Sequence, residues 1–216
     1  MNGMIKNVLV LTLITIVAGG ALGYVYDITK EPITKQEELA KAKAYQSVFR
    51  EAASFEETDS LSSDLQNAQE YLEHAGYPNE SILEVLEAKD ASGSLAGYVL
   101  SVVTHEGYGG DITISMGIGS DGTVKGVEIL SISETAGLGM KATEDEFKKQ
   151  FADKKVAKFV YSKTEVKEEF EIHALSGATI TTNAVTNAVN AGLAYYQASP
   201  ACSKNQEGGD TNEQDY

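Results

Sequence analysis

Residues 95–132 read LAGYVLSVVTHEGYGGDITISMGIGSDGTVKGVEILSI, and this stretch decides the fold. It holds three apolar runs, 95–104, 112–118 and 124–132, rich in Val, Ile and Leu. Such side chains fit a pleated, half-buried surface, so each run reads as a strand. Ser120-Asp121-Gly122 separates the last two runs and is a hairpin signal, because Asp and Gly accept turn conformations at little cost. A fourth run, 82–88, precedes them, with Ser92-Gly93 as its turn. Consecutive strands joined by short turns pair antiparallel.

Outward from this centre the period changes. Residues 61–75 read as helix and stop at Gly76-Tyr77-Pro78. Residues 143–151 read as a short helix, with Thr143 as its cap and Glu146 three residues on. Two further strands are expected at 156–161 and 170–174, joined around residues 163–165. A last helix covers 183–196, where Ala184, Val185, Ala188, Val189 and Leu193 recur three and four apart. Upstream, Leu39, Ala42, Tyr45, Val48 and Phe49 have helical spacing, and Pro32 suits the first turn of that helix. The expectation is an α+β domain, an antiparallel sheet flanked by helices, behind one N-terminal transmembrane helix. From residue 199 no core-forming side chains follow, and a disordered acidic tail is expected over 199–216.

The transmembrane assignment rests on residues 7–26. No charge falls between Lys6 and Asp27, and at 1.5 Å per residue this run spans about 30 Å, the thickness of a bilayer core. Tyr24 and Tyr26 fall where an interfacial aromatic belt sits. A cleaved signal peptide is the rival, with Ala21-Leu22-Gly23 as its cleavage site. The organisation expected is a short cytoplasmic N-terminus (1–6), an anchor (7–28), a helical stalk (29–76), a ligand-binding domain (77–198) and the tail. Lysines flank the segment on both sides, so charge asymmetry does not orient it.

Composition excludes several classes. With 32 Asp and Glu against 17 Lys and Arg, the net charge is −15, which speaks against a nucleic-acid partner. His74, His105 and His173 lie far apart, and Cys202 is the sole cysteine, so no metal, iron–sulfur or disulfide pattern is present. No Gly-x-Gly-x-x-Gly follows a strand and no Gly-x-Ser-x-Gly elbow occurs.

Three short motifs remain. The first is Gly107-Tyr108-Gly109-Gly110-Asp111 and the second is Ser133-Glu134-Thr135-Ala136-Gly137-Leu138-Gly139. The third, Ser176-Gly177-Ala178-Thr179, stands directly before the last helix, whose start Thr181 and Thr182 can cap. A helix start offers unpaired N–H groups and a positive dipole end, which attract phosphate. Gly177 lets the backbone come close to a ligand, and Thr179 offers a hydroxyl outside the cap. A phosphate there is held by hydrogen bonds or joined to Thr179 as an ester. The same four residues also fit an ordinary capped turn.

In this order, behind one membrane segment, the motifs resemble the FMN-binding domain of the Rnf and Nqr respiratory complexes. The likeness is greatest to the G subunits of Rnf (RnfG), then to the C subunits of the sodium-pumping NADH:quinone reductase (NqrC), and runs from the hydrophobic segment to about residue 196. The resemblance implies FMN joined covalently through its phosphate to Thr179, framed by Ser176, Gly177, Ala178 and Thr182. It implies flavin contacts at Glu134, Thr135, Gly137, Leu138 and Gly139, with Tyr108 nearby. Ala136 departs from the proline usual in that loop, returning a backbone N–H. The function implied is an electron-relay subunit of a ferredoxin:NAD oxidoreductase coupled to Na+ or H+ movement, with no catalytic residue or metal of its own. Its partners would be the other membrane subunits of the complex and a flavin transferase, with its soluble domain on the extracytoplasmic side of the cell membrane. The rival functions are an NqrC-like subunit, a membrane-anchored flavin-binding sensor or assembly module, and a standalone extracellular flavoprotein carrier.

Overall fold

Five strands form one antiparallel sheet in sequence order. They are β1 (Ser54–Glu56), β2 (Glu80–Lys89), β3 (Leu95–Thr104), β4 (Ile112–Gly119) and β5 (Val124–Ser131). The three runs of residues 95–132 are β3, β4 and β5, paired with Leu100 opposite Met116 and Met116 opposite Val127. In the computed structural model, residues 3–164 and 166–203 are described. The chain divides into two compact units, Met1–Ala42 and Lys43–Tyr216.

The first unit is helical. Helix α1 (Gly3–Val48) is 46 residues long, and its last residues belong to the second unit. An 18-residue window of it has mean hydropathy 2.3, long and apolar enough to cross a membrane. Its hydroxyls are satisfied locally: Thr12 Oγ1 donates to the Val8 carbonyl and Thr15 Oγ1 to the Leu11 carbonyl, both at 2.9 Å. A membrane segment needs this, since lipid offers no partner. Pro32 lies inside the helix rather than opening a second one. Proline removes one N–H and crowds the preceding turn; the flanking hydrogen bonds, including Thr34 Oγ1 to the Lys30 carbonyl at 3.1 Å, continue past it.

In the second unit, helix α2 (Asp59–Asp64) and helix α3 (Ala68–Ala75) are separated by a 3-10 turn, and Gly76 ends α3 in a left-handed conformation. Thr143 does not cap the next helix: its hydroxyl donates back to the Met140 carbonyl at 2.9 Å, and α4 (Asp145–Lys148) starts after Glu144. β6 (Val160–Ser162) and β7 (Glu171–His173) pair parallel, not as a hairpin. Each is fixed to a different element. Asn190 bonds the Phe159 N–H and carbonyl at 2.7 and 2.9 Å, whereas Gln150 Oε1 accepts from His173 N at 2.6 Å.

Helix α5 (Thr179–Ala198) covers one face of the sheet. Alternate residues Tyr98, Leu100 and Val102 of β3 and Ile112, Ile114, Met116 and Ile118 of β4 share a core with Ala184, Val185, Ala188 and Val189. The described chain continues into a short helix, α6 (Pro200–Ser203), so packing reaches further than the tail boundary at 199. Ser199 Oγ donates to Asp64 at 2.5 Å and accepts from Cys202 N at 3.2 Å, and Ser199 and Cys202 are both buried. The expected tail beyond residue 203 lies outside the described residues.

The opposite face receives the end of α1. Tyr45, Val48 and Phe49 pack there with Leu86, Ala88 and Val99. The sheet makes room with glycine: Gly117 and Gly126 are opposed across β4 and β5, beneath Val48, and a Cβ on Gly97 would stand 2.7 Å from Phe49 Cε2. A Cβ on Gly117 would strike the Val48 carbonyl. Gly117→Ala should therefore destabilise the second unit by about 1–3 kcal/mol. Urea unfolding of the detergent-solubilised chain measures it, and a change below about 0.5 kcal/mol would show that α1 tolerates the displacement.

Candidate functional site

The packing of α5 fixes where its first turn emerges. The first intrahelical bond runs from Thr182 N to the Ala178 carbonyl at 3.0 Å, so the N–H groups of Thr179, Ile180 and Thr181 precede the ladder. Thr179 opens the helix, partly exposed, rather than lying outside it. No hydrogen bond of its hydroxyl occurs among the described residues. Ala178 occupies the cap position, and no side chain caps the helix. Thr181 and Thr182 are inside the helix and buried. The Thr182 hydroxyl donates to the Ala178 carbonyl at 2.9 Å and accepts from Leu175 N at 3.0 Å. It ties down the approach to the helix. Ser176 and Gly177 are exposed, and Gly177 has φ +75°, a left-handed conformation that favours glycine.

The three motifs, far apart in sequence, meet at this turn. Glu134 joins the first two: its Oε1 accepts from Tyr108 N at 2.7 Å and from Gly109 N at 3.3 Å. The second motif then folds on itself, with the Thr135 carbonyl accepting from Leu138 N at 3.1 Å and from Met140 N at 3.2 Å. Gly139 is the contact with α5. A Cβ there would lie 2.6 Å from Thr181 Oγ1 and 2.8 Å from Glu134 Oε2. A Cβ on Gly177 would lie 3.1 Å from Leu138 Cδ2. Thr135, Gly137, Leu138 and Tyr108 are left exposed around the turn, and with Ile180 they give it an apolar rim.

Sequence reading missed Glu106. Its carboxylate accepts from Asn79 Nδ2 at 3.0 Å, Asn187 Nδ2 at 2.7 Å and Asn183 Nδ2 at 3.4 Å. It clamps the second and third turns of α5 to the β3–β4 loop. Asn183 and Asn187, four apart on one helix face, were the available signal. Two cavities among the described residues lie apart from the motifs. One of about 380 Å³ borders the asparagine face, lined by Tyr77, Lys158, Tyr161, Asn183, Asn187 and Asn190. The larger, about 640 Å³, lies by the end of α1, among Arg50, Lys125, Glu128 and Lys148. The motif site is thus a surface of small residues at a helix start whose first N–H groups precede the ladder. It fits a phosphate: three N–H groups, a positive dipole end, a glycine cradle and an unengaged hydroxyl converge. Among the described residues, no lysine or arginine takes part in the contacts that build it.

Comparison with known proteins agrees with this geometry. Residues 107–194 match the family model for the FMN-binding domain, starting at Gly107 and including all three motifs. Residues 1–48 match the model for the RnfG N-terminal region. The chain is 31% identical over 193 residues to the G subunit of the Na(+)-translocating ferredoxin:NAD(+) oxidoreductase complex of Acetobacterium woodii, covering 88% of this chain and 89% of that one. The chain belongs to the RnfG family. The G subunit of the proton-translocating ferredoxin:NAD(+) oxidoreductase complex of Clostridium ljungdahlii is 42% identical over 84 residues, 39% of this chain and 45% of that relative. The crystal structure of Shewanella oneidensis NqrC aligns with a TM-score of 0.47 and 24% identity over 57% of this chain and 60% of that one.

Within this RnfG-family domain, Glu134 is the joint between two motifs. Glu134→Ala leaves the Tyr108 and Gly109 N–H groups without their acceptor, at a cost of about 1–2 kcal/mol. Amide hydrogen exchange should then quicken over 107–110 while the core of α5 stays protected. Unchanged exchange at Tyr108 and Gly109 would show that the loop holds its shape without the carboxylate.

Proposed function

We propose that this chain is the membrane-anchored flavin subunit of an Rnf-type ferredoxin:NAD oxidoreductase, relaying electrons through an FMN esterified to Thr179. One observation carries the reading. The three motifs converge on a helix start at which Thr179 presents an unengaged hydroxyl beside free N–H groups. The names of the relatives support the complex and its reaction, and the other membrane subunits are the partners. Sodium and proton versions occur among those names. Among the described residues no group of three or more His, Cys, Asp and Glu could hold a metal ion.

FMN supplies one- and two-electron redox chemistry when bound. The chain supplies position. The N–H groups of α5 and the Gly177 turn would hold the phosphate, and the Thr179 hydroxyl is the group that would be esterified. The loop Glu134–Gly139, held by Glu134 and seated on Thr181, would offer the ring a rim with Tyr108 and Ile180. Covalent attachment suits this site. A helix end carries only about half a charge, and the nearby side chains Glu134 and Glu106 are acidic, so a phosphate held by hydrogen bonds alone would leave readily. A flavin transferase would make the bond from a flavin dinucleotide: the hydroxyl attacks the FMN phosphorus, the phosphoanhydride breaks, the nucleoside monophosphate leaves and the hydroxyl proton goes to solvent.

Mass spectrometry of chain co-expressed with such a transferase should show one FMN less water, with flavin fluorescence in a denaturing gel. Thr179→Ala should lose both, and covalent flavin persisting in that variant would overturn the assignment.

The anchor is residues 7–28, and the domain lies on the extracytoplasmic side. Protease added to intact spheroplasts should remove the domain and spare the anchor. Complete protection would reverse the orientation, and a mature chain starting near Tyr24 would show a cleaved signal.

A further inference from the structure

We propose that the cleft beside the end of α1 is a docking surface for an acidic segment of another subunit, with Arg50 as its carboxylate anchor. The inference rests on the reading that the chain works within a complex, and not on the attachment of FMN. The cleft, of about 640 Å³, is walled by residues 47–51, residues 125–128 of β5, α4 with Lys149, and residues 152–153. Arg50 is the only arginine in the sequence and is exposed. Its backbone is pinned, since Gln46 Nε2 donates to the Arg50 carbonyl at 3.2 Å and to the Ala52 carbonyl at 3.1 Å. Among the described residues its guanidinium has neither a hydrogen bond nor an ion pair.

The neighbouring cations are of two kinds. Lys148 is spent within the fold: it donates to Glu128 at 2.7 and 2.9 Å, stands 3.3 Å from Asp145, and its side chain is only 12% exposed. Lys149 is 71% exposed and meets Asp145 only at 3.8 Å, and Lys125 meets Glu51 only at 4.0 Å. Exposed pairs this long contribute little, so a better-placed carboxylate displaces them at small cost. Lys155 adds charge at the rim; it is exposed and, like Lys125, within electrostatic reach of Asp121. Asp153 turns the chain beside it with φ +56°, the only non-glycine residue in the left-handed region among the described residues. The turn is tied to the sheet, because the backbones of Lys154 and Val124 bond each other at 2.9 and 3.3 Å.

Charge selects the occupant. The net charge of −15 repels an acidic partner from most directions. Within the cleft Arg50, Lys125, Lys148 and Lys149 offset Glu51, Glu128, Asp145 and Asp153, and Lys155 stands beyond that balance. A guanidinium presents two parallel N–H groups to one carboxylate, whereas lysine is a point charge. A segment that sets one carboxylate on Arg50 and another on Lys149 or Lys155 therefore gains both a fixed register and charge pairing. The acids in the walls disfavour an anionic membrane as the occupant. Glu51 and Asp145, 78% and 73% exposed, would face a continuous sheet of negative charge.

The test is zero-length cross-linking of the purified membrane complex with a water-soluble carbodiimide, which condenses a lysine amine with a touching carboxylate. In wild type, mass spectrometry of the digest should find Lys149 or Lys155 joined to Asp or Glu of another subunit. The yield should fall with added salt. It should fall about tenfold or more in Arg50→Glu and less in Arg50→Lys, with FMN mass unchanged in both. Cross-links confined to carboxylates of this chain, or a yield that Arg50→Glu leaves unchanged, would overturn the docking surface. So would nanodiscs of the chain alone in which phosphatidylglycerol shields Lys149 and Lys155 from acetylation and phosphatidylcholine does not. A wild-type chain that isolates without any other membrane subunit would overturn the complex itself, whether or not FMN is attached. If Arg50→Glu fails a thermal melt, Lys155→Glu decides instead, read on the cross-links of Lys149.

Discussion

The burial of α5 against the sheet is the constraint on which the rest depends. Ala184, Val185, Ala188 and Val189 are at most 1% exposed against β3 and β4. Apolar burial of this kind is non-directional, worth about 25 cal/mol per Å², yet it fixes the axis and rotation of the helix. Fixing them decides which N–H groups face outward and where Thr179 stands. The polar ties follow from that placement. Thr182 holds the approach loop, Asn190 holds Phe159 beside β6, and Tyr195 OH donates to Asp64 at 3.1 Å.

Around the first turn of α5 the chain uses carboxylates where a phosphate site commonly uses cations. Glu134 accepts from the backbone of the Gly107–Gly110 loop, and Glu106 accepts from three asparagine amides. Each acid thus organises donors that would otherwise be unpaired. The consequence is a negative setting for a negative ligand. That setting is poor for a diffusible phosphate compound and acceptable for one joined to the chain.

The other face of the sheet is covered by residues 45–49 of the same unit. Gly117 and Gly126 give the end of α1 a flat seat. Tyr45 donates to Glu84 at 2.5 Å beside Ser101. Burial, with Glu84 as acceptor, pushes the Tyr45 hydroxyl up to about 12, so this tie stays protonated at physiological pH. The same row of the sheet holds Ser115, whose buried hydroxyl has no partner among the described residues. Nothing in the structure explains it.

The sequence by itself determined the elements whose signal is local. The strands of residues 95–132 emerged within a residue or two of their expected ends, because alternation of apolar side chains and a Ser-Asp-Gly turn act over neighbours. The long apolar helix, the Ser-Gly-Ala-Thr turn before α5 and the family were legible for the same reason. Tertiary structure alone decided what depends on distant residues. It set β6 and β7 parallel because Asn190 and Gln150 hold them separately. It carried α1 through Pro32, and it packed Ser199 and Cys202 through Asp64, 135 residues before Ser199. It set the Thr182 hydroxyl against the loop before α5. It also brought Glu106 to Asn183 and Asn187, a pairing across 77 and 81 residues that no local period encodes. Hydrogen-bond partners far apart in sequence are chosen by where packed elements leave unpaired groups, and that choice exists only once the chain has folded.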